Sequence, residues 1–504
     1  MRWALLALML LAEASRAAQP AAEAVLLAWA DVRRLPPPDR PSTRYLWVSD
    51  PDPKLRWRTW GAAAGHLNFL SLSRRVVSPA LVLADGSVKS WAEMGPEDWG
   101  RLALLRLNLK DYKQTPQQWD RLGHPDLEPV FHVWTQLPDG KWAKALAPWL
   151  LAPLGADPKA NYQEAVAGLV AATGYSQAPV VEARNFVWQT AVDFDRKAGY
   201  YSWLGVKDKA SFDRLVRLDP TLEPLREAVA ESGVASEPRA VERFGRGDGY
   251  WITYDQVNQR AQGRRNPLLT ADRSEFLFDA SEVFGRLDNG LWAMGLFDSK
   301  GVVQQSAPDG VGYNHTTASN DGKIHVCLAC LSCHDAGPGA GGLKPFAPYF
   351  RSLYAGPGPL AAAAVKKGPL AAFAEQYLTP LEPWADGDKR AYAAALFQAN
   401  GLTPQQYARN LYETYASWDR PLDLEAAASE HGLAADDFVK GLQAALVARG
   451  ELDAANVQWI APAARRTRIG RNQFAEAYNR AELALRGLPA WPAEVKQKLV
   501  PWRK

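Results

Sequence analysis

Cysteine is nearly absent. The 504 residues contain three, Cys327, Cys330 and Cys333, all within one short stretch. A scaffold braced by several disulfides is therefore excluded. Charge of one sign is also lacking. Lys and Arg number 58 against 55 Asp and Glu, a net charge of +3 that gives no case for a nucleic-acid protein. Beyond the N-terminus no apolar run is long enough to cross a bilayer. Methionine is scarce at four, and none lies after Met294. What the chain has in quantity is aromatic: 20 Trp, 17 Tyr and 16 Phe, enough to fill the cores of several domains.

The cysteines carry the chemistry. Cys330-Leu331-Ser332-Cys333-His334 is a C-x-x-C-H run, the attachment signal of a c-type haem. Two thiols one helical turn apart can add to the two vinyl groups on one porphyrin edge. The histidine that follows is then held under the iron as proximal ligand. The expectation is one covalent haem c, with Cys330, Cys333 and His334 binding it and His334 on the metal. Cys327 complicates this, because the three cysteines also read as C-x-x-C-x-x-C. An iron–sulfur cluster on them lacks a fourth thiolate, and a zinc site would have to recruit His325 or His334. With haem on two of the thiols, Cys327 is an odd cysteine, either buried or available to a partner.

The N-terminus agrees with this chemistry. In 1–17, Arg2 precedes the short apolar run Trp3–Ala12, and Ser15-Arg16-Ala17 offers small residues for cleavage, the pattern of a secretory signal. Ten apolar residues are too few to span a bilayer, and no cysteine follows to take a lipid. A periplasmic or otherwise exported protein with no transmembrane anchor after signal removal is expected, and covalent haem attachment takes place in that same setting.

The remaining segments follow in order. Residues 18–42 are Ala- and Pro-rich, a helix and then a stiff linker with Pro36-Pro37-Pro38. Residues 43–143 form an N-terminal α+β domain. Its strict alternation over Leu105–Lys110 predicts a half-buried strand, and Thr115-Pro116-Gln117-Gln118 predicts a capped helix start. Its histidines His66, His124 and His132 are expected in the core or at the surface. Residues 144–242 read as a helical region, with two helices expected around Gly199–Gly205. Residues 243–345 read as a β-rich segment carrying the haem motif. There Gly249–Tyr254 and Gly290–Phe297 predict strands, with turns at Asp288-Asn289-Gly290 and Asp298–Gly301. Residues 346–504 read as helical, with a Thr403-Pro404-Gln405-Gln406 cap and a helix–turn–helix outline over Leu424–Val447. That outline implies no DNA binding in an exported protein. The whole is predicted as a multi-domain α+β protein, predominantly helical, with a small antiparallel sheet leading into a c-type haem site.

Together Leu105–Trp119, Asn266–Thr270, Glu282–Lys300, Cys330–His334 and Leu422–Phe438 give a resemblance. The chain resembles exported proteins of planctomycete-type bacteria described as cytochrome c domain-containing proteins. The resemblance covers patches, of which only C-x-x-C-H is specific for haem. It implies a periplasmic c-type haem protein and supplies no reaction.

The distal iron ligand decides between functions. Small cytochromes c take a methionine C-terminal to the motif, and here there is none. The candidates are Met294, a histidine such as His315, His325 or His431, or no protein ligand. Two strong ligands suit electron transfer between a redox donor and an acceptor protein. A vacant position suits peroxide or small-ligand chemistry. Electron transfer is the preferred expectation. The alternatives are a haem-dependent oxidoreductase of peroxidase type, weakened by the lack of a second haem motif, and a surface interaction protein with an accessory haem.

Overall fold

The computed structural model describes residues 21–48, 53–71, 73–120, 165, 168–174, 179–191, 199–219, 221–222, 224, 226–232, 239–245, 249–256, 277–309, 324–334, 343–345, 382–419, 421–430, 434–449, 468 and 470. Its helices are α1 (Ala21–Arg34), α2 (Pro53–Phe69), α3 (Pro96–Trp99), α4 (Pro116–Asp120), α5 (Ala183–Ala191), α6 (Tyr200–Leu204), α7 (Lys209–Leu215), α8 (Leu328–Cys333), α9 (Glu382–Asn400), α10 (Pro404–Asp419), α11 (Leu424–Glu430) and α12 (Ala435–Arg449). Its strands are β1 (Thr43–Trp47), β2 (Ala80–Leu83), β3 (Val88–Lys89), β4 (Leu102–Asn108), β5 (Val180–Glu182), β6 (Arg226–Ser232), β7 (Arg239–Phe244), β8 (Tyr250–Asp255), β9 (Ala280–Arg286), β10 (Trp292–Asp298) and β11 (Leu343–Pro345). The expected mixed α+β class holds.

The chain packs as two units, each built from discontinuous segments. One comprises Met1–Ala64, Ser78–Trp188 and Glu413–Lys504, the other Gly65–Val77 and Gln189–Tyr412. This differs from the consecutive segments read from the sequence. The boundary placed at 243 falls inside β7.

The first unit holds a five-stranded sheet in the order β3-β2-β4-β1-β5, with β1 antiparallel to β4 and parallel to β5. The alternation at Leu105–Lys110 marks only the end of β4. Leu102 to Leu105 are all buried, because β4 lies between β2 and β1 and both its faces are covered. Buried Asp31 of α1 fastens that helix to the sheet. It accepts from the Tyr45 hydroxyl at 2.7 Å and from Arg106 Nη1 at 2.8 Å. The capping box at Thr115 forms as expected. The Thr115 N–H donates to Gln118 Oε1 (2.9 Å) and the Gln118 N–H to Thr115 Oγ1 (3.2 Å).

The second unit is built on a six-stranded antiparallel sheet in the order β10-β9-β8-β7-β6-β11. The strands read at Gly249–Tyr254 and Gly290–Phe297 correspond to β8 and β10, and the turns beside β10 are as read, with Gly290 at φ +86° and Gly301 at φ +80°. The helical reading of 144–242 is corrected here. β5 and β6 both lie within it. Arg226-Glu227-Ala228-Val229-Ala230 is made mostly of helix formers, and pairing with β7 overrides that preference. Gly199 and Gly205 bracket a helix of their own, α6, which ends where Gly205 takes φ +70°.

Side chains alternate across the sheet, so register fixes one working face. Glu282 and Phe284 on β9 stand opposite Thr253 and Trp251 of β8 on one side and Leu296 and Met294 of β10 on the other. Arg243 joins the same face opposite Trp251, and Arg239 lies on β7 two pairs along. Helix α9 is fastened to this face by buried Asp388. Its carboxylate accepts from the Trp251 indole N–H at 2.8 Å and from Arg243 Nε and Nη2 at 3.2 Å each. Helix α6 covers the free edge of β10. The Met294 N–H donates to the Tyr200 hydroxyl (2.8 Å) and the Leu296 N–H to that of Tyr201 (2.6 Å).

Candidate functional site

The C-x-x-C-H run lies in the second unit, on α8. Just before the helix, Cys327 has φ +67° and ψ −70°, and the Leu328 N–H donates to the Val326 carbonyl at 2.8 Å. This is the rare γ-turn with positive φ, which is strained for a residue with a side chain. The turn starts α8 abruptly. The Leu331 N–H then donates to the Cys327 carbonyl and the His334 N–H to that of Cys330, each at 2.8 Å. Cys330 and Cys333 are three residues apart on this helix, and His334 follows at its end.

His334 is 3 % exposed, and its surroundings come from the working face of the sheet. Phe284 meets the imidazole edge to face, with centroids 4.6 Å apart. Glu282 Oε1 stands 4.0 Å from Nε2, and Nδ1 is buried with no hydrogen-bond partner among the described residues. Burial pushes the imidazole towards its neutral form, more strongly than the Glu282 charge holds the proton on, and Arg239 and Lys389 push the same way as burial. Neutral imidazole is the form that binds a metal.

Glu282 is held in turn. Arg239 Nη2 lies 2.9 Å from Glu282 Oε2, while Arg239 Nε and Nη2 reach Asp255 at 2.6 and 2.7 Å. All three side chains are under a tenth exposed. Burial alone would raise the Glu282 carboxyl. Arg239, His334 and a hydrogen bond from the Cys330 thiol outweigh it and hold the group below its ordinary range. Asp255 goes the other way, raised by burial against the pull of Arg239. Cys327 is fully buried, and burial pushes its thiol well up, so it stays protonated and is no nucleophile.

The other expected residues fall as follows. Met294 is fully buried on β10, opposite Phe284, which places it on the face that bears Glu282. His325 is buried beside the motif and bridges Ser306. His66 is buried in the second unit. His315, His431, His124, His132, the signal-like 1–17 and Gly337–Gly342 lie outside the described residues. Among the described residues no group of three or more His, Cys, Asp or Glu is placed to hold a metal ion. No helix among them is long and apolar enough to cross a membrane.

The residues present fit the haem that the motif implies. The helix sets the two cysteines three residues apart, and the imidazole is buried, its neutral form favoured by that burial, and keeps one nitrogen without a partner among the described residues. Sequence reasoning did not find Glu282, Arg239 and Asp255. The signal was a charged residue in each of three strands, β7, β8 and β9. Comparison of the chain with protein-family models, with curated proteins and with solved structures gives no match.

Proposed function

We propose that the protein is an exported c-type cytochrome with one haem, attached by thioethers to Cys330 and Cys333 and ligated by His334, that transfers electrons between a donor and an acceptor protein. One observation carries the reading. Directly after a helix that carries two cysteines three residues apart, a buried imidazole, its neutral form favoured by burial, has a carboxylate facing one nitrogen and no partner for the other among the described residues. When bound, the haem supplies one-electron redox chemistry at iron. The chain's own residues attach it through α8, orient the ligand ring through Glu282 and Phe284, and exclude water by burial. Met294 or His315 is proposed for the far face of the iron. The two packing units are read as two domains with the motif in the second, and the relatives as the exported cytochrome c domain-containing proteins named above.

The test is a pyridine haemochrome spectrum and a haem-stained denaturing gel of the full-length protein made in a host that matures c-type cytochromes, with N-terminal sequencing of the product. Covalent haem on a chain that begins near Ala18 is the expected result. Haem-free protein with an intact Met1 in the cytosolic fraction overturns both the haem and the export readings.

A further inference from the structure

We infer that the turn between β9 and β10, with Arg74 and Arg217 gathered on it, is the docking surface for an acidic redox partner protein. The inference rests on the electron-transfer reading above and gives the chemistry of one partner. Its first support is charge. Two guanidiniums share Oδ2 of Asp288 in the turn, Arg217 through Nη2 at 2.7 Å and Arg74 through Nε at 3.8 Å. The Arg74 and Arg217 side chains are 80 % and 63 % exposed against 27 % for Asp288, so the positive groups are the ones that meet solvent. Arg75 and Arg214, close to them in the chain, are exposed as well. Asp219 is engaged in its own turn, where it accepts from the Thr221 N–H at 2.9 Å and from the Thr221 hydroxyl at 2.7 Å.

The second support is an arginine where glycine is usual. Helix α7 ends in a Schellman motif: the Leu218 N–H donates to the Asp213 carbonyl at 2.8 Å and the Arg217 N–H to that of Arg214 at 3.3 Å. The first residue past such an end takes the left-handed conformation, which favours glycine. Arg217 holds it at φ +58°. An exposed ion pair contributes little to stability, so the contact with Asp288 does not account for a side chain at a strained position. A charge fixed at one point of the surface does. The third support is placement. Val216 packs so closely on β9 that a Cβ on Gly285 would come within 2.5 Å of it. Gly285 adjoins Phe284, whose ring meets His334. The segment that bears Arg74 is fixed too. Asn68 brackets Val77 with hydrogen bonds of 2.7 and 2.8 Å, and Asn289 of the turn donates to the Asn68 carbonyl at 3.0 Å. A rigid positive surface thus adjoins the strand position that touches the proposed iron ligand, where it attracts and orients an anionic partner.

Stopped-flow oxidation of the matured, reduced, full-length protein by the anion hexacyanoferrate(III) tests this. Ferrous haem gives one electron to the oxidant, which leaves ferric haem and hexacyanoferrate(II). Wild type is compared with Arg74→Glu/Arg217→Glu and with Arg34→Glu/Arg101→Glu, which makes the same change in net charge at two exposed arginines of the first unit. At an ionic strength of about 0.01 M, where the Debye length is about 30 Å, Arg74→Glu/Arg217→Glu should slow the second-order reaction about threefold or more. The difference should vanish at about 1 M, where that length is about 3 Å. With the cation tris(phenanthroline)cobalt(III) the same variant should react faster than wild type. Equal rates in wild type and Arg74→Glu/Arg217→Glu at low salt overturn the inference and leave the haem reading standing. Equal slowing in Arg34→Glu/Arg101→Glu also overturns it, since net charge alone would then be the cause. Should charge reversal block maturation, Arg74→Gln/Arg217→Gly against Arg34→Gln/Arg101→Gln decides by the same comparison, because glycine suits the left-handed position. Wild type without haem overturns the haem reading and this inference together.

Discussion

Cys327, Cys330 and Cys333 lie three residues apart, yet the fold gives them different roles. Cys327 is the strained centre of the γ-turn that starts α8, its thiol buried and held protonated. Cys330 and Cys333 lie within the helix proper. Haem should therefore survive Cys327→Ser. Cys330→Ala should leave one thioether and a displaced α-band, and the double Cys330/Cys333 replacement should give haem-free protein, as read by mass spectrometry and absorbance. Haem lost in Cys327→Ser but kept in Cys333→Ser would assign the wrong cysteine pair. For the far face, at most one of Met294→Ala and His315→Ala should convert a low-spin spectrum to high-spin. If neither does and the wild type binds cyanide readily, the electron-transfer reading yields to a catalytic one. The motif was legible because its spacing is local. Glu282 was not, since what marks it is contact with Arg239 and Asp255, which precede it by tens of residues on two other strands.

Among the elements, α9 meets the sheet through one buried carboxylate. Asp388 accepts from Arg243 and from the Trp251 indole while almost fully buried, and Trp384 on the same helix lies 4.7 Å from the Arg243 guanidinium. A Cβ on Gly249 would come within 2.5 Å of Asp388 Oδ2, so the chain needs glycine where it passes this pair. Removing one partner of a buried ion pair leaves the other uncompensated. Asp388→Ala should cost about 3–5 kcal/mol in denaturant-induced unfolding, and a loss below about 1 kcal/mol, the range of exposed pairs, would show that α9 is held by other contacts. The caps were the most legible feature at this scale. The Thr403–Gln406 box forms at 2.9 and 3.3 Å as the one at Thr115 does, because four adjacent residues contain the whole interaction. Strand β6 was illegible for the converse reason. Its composition favours helix, and pairing with β7 and β11 makes it extended.

In the whole molecule, the mixed class and the antiparallel sheet ahead of the C-x-x-C-H run could be read from local patterns. The division into two discontinuous units could not, since Gly65–Val77 and Gln189–Tyr412 share a core that no local signal announces. That core has a consequence for the stability of the whole fold. His66 is fully buried in it, with Nδ1 3.4 Å from the Tyr407 hydroxyl and its ring stacked on Phe69. Burial holds its pKa down to about 3, from an ordinary 6.5. Above pH 6.5 the ring is neutral whether the chain is folded or not, and stability does not depend on its proton. Between 6.5 and 3 the unfolded chain binds a proton at His66 that the folded chain refuses, so stability must fall as the pH falls, by up to about 1.4 kcal/mol per pH unit for this one group. His334, also depressed by burial, acts in the same direction from the same upper limit. Replacing His66 with phenylalanine removes one titration and keeps an aromatic ring against Phe69. Denaturant midpoints between pH 6.5 and 4 should therefore fall less steeply in His66→Phe than in wild type, whatever the variant's stability at pH 7. Parallel pH profiles for the two proteins would mean that His66 is protonated in the folded state and that its burial does not exclude the charge.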